Sequence, residues 1–430
     1  MIIELFKEIT NIPRCSGTHQ PFIDFMILFS KKYNYICKID EACNILCYKE
    51  NTTPKICLQS HYDMVCLLDE KLPQIIEIDQ FLTAKDSTLG SDNGIGCAYM
   101  LALMSENTNG EFLFTSDEEI GLIGANNLNL PLISRYMLNL DSEEEGRICI
   151  GCAGGVDIFG TFAKSKIVQN SENKILYEII VEGLDGGHSG VDIDKNIPNA
   201  IKLMVCAIKE CGGDLIDFNG GERINSIPKQ CRAIVASHTP PKSIHSNMKV
   251  VAIDTQSEHY IKFDEGLIEF LDSFENGVRE FDEKLDIPKT SINLSLVETS
   301  PHGIKVSLSA RSMDNQLLED IKNETKEALL QSGFEIDTNG KYPAWKPELN
   351  DFSNLVFEIY KEKNQTASFE AVHAGLECAI FKEKYPNILI TSIGPNIYFP
   401  HSNREKCEIA SVYRVYEVLQ EIVKAINSIK

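Results

Sequence analysis

Three short apolar runs, each ending where a histidine or an acid begins, constrain this chain more than any other feature. Lys55–Ser60 (KICLQS) runs into His61, Glu111–Thr115 (EFLFT) into Asp117-Glu118-Glu119, and Tyr136–Leu140 (YMLNL) into Asp141. Runs this short, bounded by turn residues, read as buried strands. Between the first two, Asn93–Ser105 (NGIGCAYMLALMS) repeats its apolar residues at helical spacing, with Asp92 at the N-cap position. Strand alternating with helix builds an α/β domain around a largely parallel sheet. Sites in such sheets form at the carboxyl ends of the strands, which is where these polar residues stand.

A further histidine, His401 in FPHSN, lies far downstream, after another strand-like run, Asn387–Ile393 (NILITSI). A domain inserted into the sheet domain accounts for the gap. The inserted stretch has a different grammar. Ser291–Val297 and Ile304–Leu308 alternate apolar and polar residues, while Pro198–Cys211, Tyr260–Phe281 and Gln316–Leu330 read as helices. That is a smaller α+β domain with an open-faced antiparallel sheet. The expected layout is a catalytic domain in two parts, 1–183 and 343–430, interrupted by a lid domain over 184–342. Glycine-rich joins, Gly183–Gly190 and Thr338–Pro343, read as hinges.

Length supports two domains rather than one, since 430 residues exceed an ordinary single core. The formal net charge of -22 argues against a nucleic-acid partner, which needs clustered Lys and Arg. No apolar run approaches the ~18 residues of a membrane span, and the N-terminal segment reads as a helix ending before Pro13 rather than as a signal peptide. The 14 cysteines show no small-domain framework and read as reduced thiols of a cytoplasmic protein. A single CxxC, Cys149 and Cys152, has no second pair at zinc-ribbon spacing.

His61, Asp92, Glu119, Asp141 and His401 are together a set of ligands for divalent metal. A lone Asp before a helix is most often a cap, but acids gathered at strand ends repel one another unless a cation sits among them. Two imidazoles and three carboxylates hold two ions if one carboxylate bridges. Asp92 is the candidate bridge, with His61 and Asp141 on one ion and Glu119 and His401 on the other. Zinc suits this donor set, and manganese or cobalt are alternatives. Asp63 is spaced to orient the His61 ring, and Glu118 is placed to act as general base.

Long ordered stretches make the chain similar to the aminoacyl-histidine dipeptidases, also called Xaa-His or cytosolic non-specific dipeptidases. These belong to a di-zinc peptidase superfamily that includes aminoacylases and glutamate carboxypeptidases. The stretches are TLGSDNGIGCA (Thr88–Ala98), TSDEEIGLIGA (Thr115–Ala125), NLDSEEEGRICIGCAGG (Asn139–Gly155), GLDGGHSG (Gly183–Gly190), LIDFNGGERINSIP (Leu215–Pro228), HAGLECAIF (His373–Phe381) and SIGPNIYFPHS (Ser392–Ser402). The likeness is weakest from about Cys231 to Lys289.

The resemblance implies the same five ligands and the same base. It adds His188 as a lid histidine that contacts the substrate carbonyl and, in dimeric members, reaches the partner's site. It also implies Asn225 and Arg311 as contacts to a substrate carboxylate, His373 and Glu377 as part of the substrate pocket, a small peptide as substrate, and a homodimer. The expected activity is hydrolysis of Xaa-His and other dipeptides. The alternative is an aminoacylase or carboxypeptidase-like amidohydrolase on the same metal core, distinguished by turnover of N-acyl amino acids but not dipeptides. A retired peptidase that only binds peptides is disfavoured, because neither a ligand nor the base is missing.

Overall fold

In the computed structural model, which describes residues 1–67, 72–170, 174–253, 258–363 and 366–429, the four apolar runs become adjacent parallel strands. Their order is Glu111–Thr115, Ile56–His61, Tyr136–Asn139, Leu389–Ser392. They are almost entirely buried, which explains why the sequence shows continuous apolar runs there instead of alternation. Register brings their carboxyl ends level: His61 lies opposite Thr115, Gln59 opposite Asn139, and Asn139 opposite Ser392. The eight-stranded sheet is finished by antiparallel neighbours, Ile36–Ile39 and Ile45–Tyr48 on one side and Arg147–Cys152 on the other, with Ser368–Val372 at the edge beyond Arg147–Cys152.

Helices cover this sheet. Ser91–Ser105 is buried around nearly its whole circumference, as expected of a helix apolar on every face. It packs against Ile2–Thr10, and Ile409–Ser428 packs against Asp351–Lys363. Phe6, Phe22, Leu58, Leu101, Phe112, Phe352 and Leu419 share this core.

The chain divides into two compact units. The first comprises Met1–Cys152, Trp345–Ala371 and Leu376–Lys430; the second comprises Ala153–Ala344 with Val372–Gly375. The second unit thus begins well before residue 184, because Gly154–Phe162 and Ile175–Val181 pair into its sheet. That sheet is antiparallel and nine-stranded. Its helices include Ala200–Cys211 and Asn315–Gln331, whose N-caps Asn199 and Asp314 accept backbone N–H bonds through their side chains. Gly183–Gly190 lies well inside this unit rather than at an end, whereas Thr338–Pro343 runs up to its boundary at Ala344, with Thr338–Tyr342 part of the strand Glu335–Tyr342.

Two further expectations are corrected. Tyr260–Phe281 is not one helix: it is a strand (His259–Phe263), a short helix (Gly266–Ser273) and a second strand (Gly277–Asp282). Gly277 at φ +110° is one break. The other cause is a tertiary pull on alternate residues. Tyr260 donates its hydroxyl to Asp214 at 2.7 Å and Lys262 reaches the same carboxylate at 2.5 Å, an i, i+2 pairing that only a strand supplies. The cysteines are also not all free thiols. Cys15 and Cys66 form a disulfide, where a backbone bridge between Cys15 and Met64 brings the two segments alongside; the others are free. Among the described residues no helix is long and apolar enough to cross a membrane.

Asp214 also accepts from Lys174 at 2.9 Å. Burial works to raise its carboxyl, but the bonds from Lys262, Tyr260 and Lys174 hold it at about 2, below the usual 3.8. A depressed carboxyl contributes stability above 3.8 that is lost as the pH falls toward about 2. Asp214→Ala is therefore expected to cost about 1–2 kcal/mol at neutral pH. Urea midpoints of wild type and variant should differ at neutral pH and converge in acid; a gap independent of pH would show the carboxylate charge to be irrelevant.

Candidate functional site

The level strand ends place the expected ligands together in the first unit. Asp92 follows Gly90, which sits at φ +69°, and leaves helical geometry with φ -82° and ψ 111°. Its side chain does not cap the helix, because both carboxylate oxygens face imidazoles instead of helix N–H groups. It turns outward and presents one oxygen to each imidazole: Oδ1 lies 3.1 Å from His61 Nε2, and Oδ2 lies 3.0 Å from His401 Nε2. A second carboxylate backs each ring. Asp141 Oδ1 is 3.3 Å from His61 Nε2, and Glu119 Oε2 is 2.9 Å from His401 Nε2. The site thus has two halves sharing one carboxylate, as a bridged pair of cations requires.

Electrostatics points the same way. Burial disfavours charge on His61, yet the facing carboxylates, Asp141 first, raise its proton affinity well above the ordinary value. Burial also disfavours a charged His401, but bonds to Asp92 and Glu119 raise it to about 12. Burial alone would raise Asp92; its bonds from both imidazoles hold it low. Glu119 is pushed up to about 7 by burial and by the charge of Asp92. Its Oε1 is buried without a hydrogen-bond partner among the described residues. Imidazolium protons stand where cations would replace them. An orphaned carboxylate oxygen, two nitrogen donors and several oxygen donors fit hard or borderline divalent metal.

Asp63 has a larger role in the geometry than its spacing implied. It lies 3.4 Å from His61 Nδ1 and also accepts from the backbone N–H groups of Glu118 at 3.0 Å and Glu119 at 3.3 Å. One buried carboxylate thus orients the His61 ring and anchors the loop bearing Glu118. Burial raises the Glu118 carboxyl well above the usual range; the charge of His61 opposes this, while Glu119, Asp141 and Glu377 reinforce it. Asn93 donates to Asp141 at 2.6 Å. Gly394 passes so close to the Ser142 carbonyl that an added Cβ would lie 1.5 Å from it, so the segment after Leu389–Ser392 reaches the Asp141 loop only as glycine.

Glu377, expected as part of the substrate pocket, is fully buried. Its Oε2 accepts from Gln59 at 2.5 Å and Thr115 at 2.7 Å, and Gln59 in turn accepts from Asn139 at 2.6 Å. It belongs to a polar ladder that ties the strand ends together.

His188, Asn225, Arg311 and His373 fall in the second unit. An added Cβ on Gly190 would meet the His373 carbonyl, the His188 ring and Arg311 Nε, so the glycine of HSG is what lets those three groups converge. His188 Nδ1 accepts from the N–H groups of Gly190 and Val191 at 3.2 and 3.1 Å, which leaves the ring proton on Nε2. Asn225 is linked to this group through its carbonyl, which accepts from Ser189 N–H at 2.9 Å. His373 bonds Ser291 Oγ at 2.7 Å; burial, then the charge of Arg311, lowers its pKa to about 3 and keeps it neutral.

Sequence reasoning missed Tyr342, whose hydroxyl accepts from Arg311 Nη1 at 2.7 Å. The signal was present in Gly155: Arg311 and Tyr342 lie opposite it on either side, and an added Cβ there would lie 2.5 Å from the Tyr342 oxygen.

No protein-family model matches the chain. A cytosol non-specific dipeptidase from Escherichia coli (strain K12) is 30% identical over 98% of this chain and 97% of its own length. The chain belongs to the cytosol non-specific dipeptidase family. It is an enzyme, a peptide hydrolase, and the resemblance read from its motifs is borne out. Among solved structures, an aminoacylhistidine dipeptidase from Vibrio alginolyticus matches with a TM-score of 0.80 at 28% identity, over 99% of this chain and 96% of that one. An M20 family metallo-carboxypeptidase from Sulfolobus solfataricus shares the fold at 15% identity and a TM-score of 0.57, over 100% and 99% of the two chains.

If Asp92 serves both halves, its removal should cost more than that of either flanking acid. Asp92→Ala is expected to retain neither ion after dialysis, and Glu119→Ala to retain one. Elemental analysis of the dialysed proteins decides this; two ions kept by Asp92→Ala would rule out the bridge.

Proposed function

We propose that the protein hydrolyses dipeptides with a free C-terminal carboxylate, Xaa-His among them, using two divalent metal ions, zinc foremost. The observation that carries this reading is Asp92, with one oxygen on each of two imidazoles and a further carboxylate behind each. His61, Asp141 and Asp92 would hold one ion, and Glu119, His401 and Asp92 the other. When bound, such ions polarise a carbonyl and lower the pKa of water.

The chain's own residues supply the rest. Glu118 takes a proton from the attacking water as its oxygen bonds to the peptide carbon, and passes that proton to the amine as the C–N bond breaks. Asp63 holds Glu118 in place through its backbone N–H. His188, with its proton on Nε2, donates to the carbonyl oxygen as negative charge develops there. Arg311 forks the substrate carboxylate; its Nε is buried without a partner among the described residues. Asn225 assists at that carboxylate, and His373, kept neutral, lines the pocket. A cytoplasmic setting and a homodimer belong to this proposal through the family likeness.

The first test is release of histidine from an Xaa-His dipeptide by metal-loaded protein, before and after chelation. Chelator-sensitive release is expected. Turnover of N-acyl amino acids without dipeptide cleavage would replace this reading by the aminoacylase one.

Two variants probe the roles. Glu118→Gln should lower kcat by about 10²–10⁴-fold with both ions retained; near-normal kcat would remove Glu118 as the base. Arg311→Ala should raise KM for a dipeptide about 10- to 100-fold, with little change for the matching C-terminal amide. An equal change for both substrates would dissociate Arg311 from the carboxylate.

A further inference from the structure

Two buried charges of opposite sign grip the same loop from either side. Arg14 is 1% exposed and Glu405 is 2% exposed. Arg14 donates Nη1 to the Tyr62 carbonyl at 3.0 Å and to that of Asp63 at 3.4 Å, and Nη2 to the Gly90 carbonyl at 2.5 Å. Glu405 Oε2 accepts from the N–H groups of Leu89 at 2.8 Å and Gly90 at 3.1 Å. Its Oε1 accepts from Ser91 N–H at 2.8 Å, Ser91 Oγ at 2.6 Å and, at the limit of 3.5 Å, Asp92 N–H. The peptide groups on both sides of Gly90 are thus held by fixed charges. Room for the guanidinium comes from two glycines, since an added Cβ on Gly90 or on Gly94 would lie 2.6 Å from Arg14 Nη2.

We propose that Arg14 and Glu405 are positioning residues that fix the Asp92 loop against the two histidine-bearing segments, and so set the spacing at which the protein holds two metal ions. The connectivity is the argument. Arg14 ties the Asp92 loop to Tyr62 and Asp63, the residues directly after His61. Glu405 ties the same loop to the segment that carries His401, four residues before it. The two halves of the site share only Asp92, so the distances on either side of it depend on where this loop stands. Neither residue bonds a ligand side chain. Burying a guanidinium and a carboxylate is a poor route to stability, because the desolvation penalty offsets the attraction, and apolar packing would serve as well. What dense bonding to backbone adds is a defined loop position. Outer-shell partners of this kind tune metal affinity about 10- to 100-fold.

This inference rests on the reading of Asp92 and His401 as metal ligands, and the test separates the two. Cobalt(II) is titrated into metal-free wild type, Asp92→Ala, Arg14→Lys, Glu405→Gln and Ser91→Ala, with the visible spectrum, stoichiometry and far-UV circular dichroism recorded, and dipeptide kcat and KM measured on loaded protein. In Glu405→Gln either amide orientation turns an NH₂ toward backbone N–H groups, and Lys in place of Arg14 loses the fork that joins Tyr62 to Gly90. Both should keep the fold, bind cobalt about 10- to 100-fold more weakly with an altered spectrum, and lose kcat more than they raise KM. Ser91→Ala removes a single bond to Glu405 and should shift affinity about 3- to 10-fold in the same direction; it carries the test alone if the charge variants do not fold. Wild-type affinity and spectrum in the folded variants would overturn the positioning role. Fewer than two ions on wild type, or two on Asp92→Ala, would instead overturn the metal centre on which the role depends.

Discussion

Carboxylates crowded at the ends of three parallel strands and the start of one helix repel one another, and much of the first unit is arranged to hold them in place. At about 4 Å two like charges cost about 4 kcal/mol at the effective dielectric of a partly wet site. Asp92, Glu118, Glu119 and Asp141 influence one another's protonation, and burial acts to raise all four, with the two imidazoles holding Asp92 low. The two imidazoles, the amide of Asn93, and the Ser16 hydroxyl and N–H groups facing Asp63 offset this inside the site. The strand register, the turn at Gly90 and the close approach at Gly394 follow from the same need: each brings a ligand segment level with the others without a side chain in the way.

Most of that arrangement was legible before any coordinates. Ligands at strand ends are local features, since an apolar run dictates a strand and its end dictates where the next polar residue points. His61, Glu119 and Asp141 were singled out as candidates this way, and Asp92 by its place before a helix. The reason given for Asp92 was wrong in part, because a cap accepts from its own helix, whereas this carboxylate faces His61 and His401. His401 needed the further step of recognising an interrupted domain, and the switch from continuous apolar runs to alternation supplied it.

What escaped was tertiary. Nothing local distinguishes Arg14 or Glu405 from a surface charge; their meaning lies in the backbone they grip, a long way off in sequence. The stretch Tyr260–Phe281 has helical residues, but Asp214 sets its first part as a strand by bonding two alternate side chains. The start of the second unit was misplaced for a related reason: the pairing of Gly154–Phe162 with Gly303–Ser312 is what assigns that strand to the second sheet.

The second unit solves a different problem, that of keeping a cation buried with no carboxylate hydrogen-bonded to it among the described residues. Arg311 is 6% exposed and bonds a neutral phenol, not a carboxylate. A guanidinium so placed is expensive, and that expense makes sense if an anion arrives with the substrate. The surrounding groups keep the place open rather than fill it. Ser291, opposite Arg311 in register, engages His373 and keeps it from the guanidinium. Gly155 lets Tyr342 hold one edge of the fork, leaving Nε for the ligand. Because Ser291, Arg311, Gly155 and Tyr342 all sit on paired strands, the fork is held by ladder hydrogen bonds instead of by a loop. A rigid fork loses little entropy on meeting a planar carboxylate. Discrimination for a free C-terminus would then come from the geometry of Arg311, while tolerance toward the side chains of the peptide would be left to the loops around it.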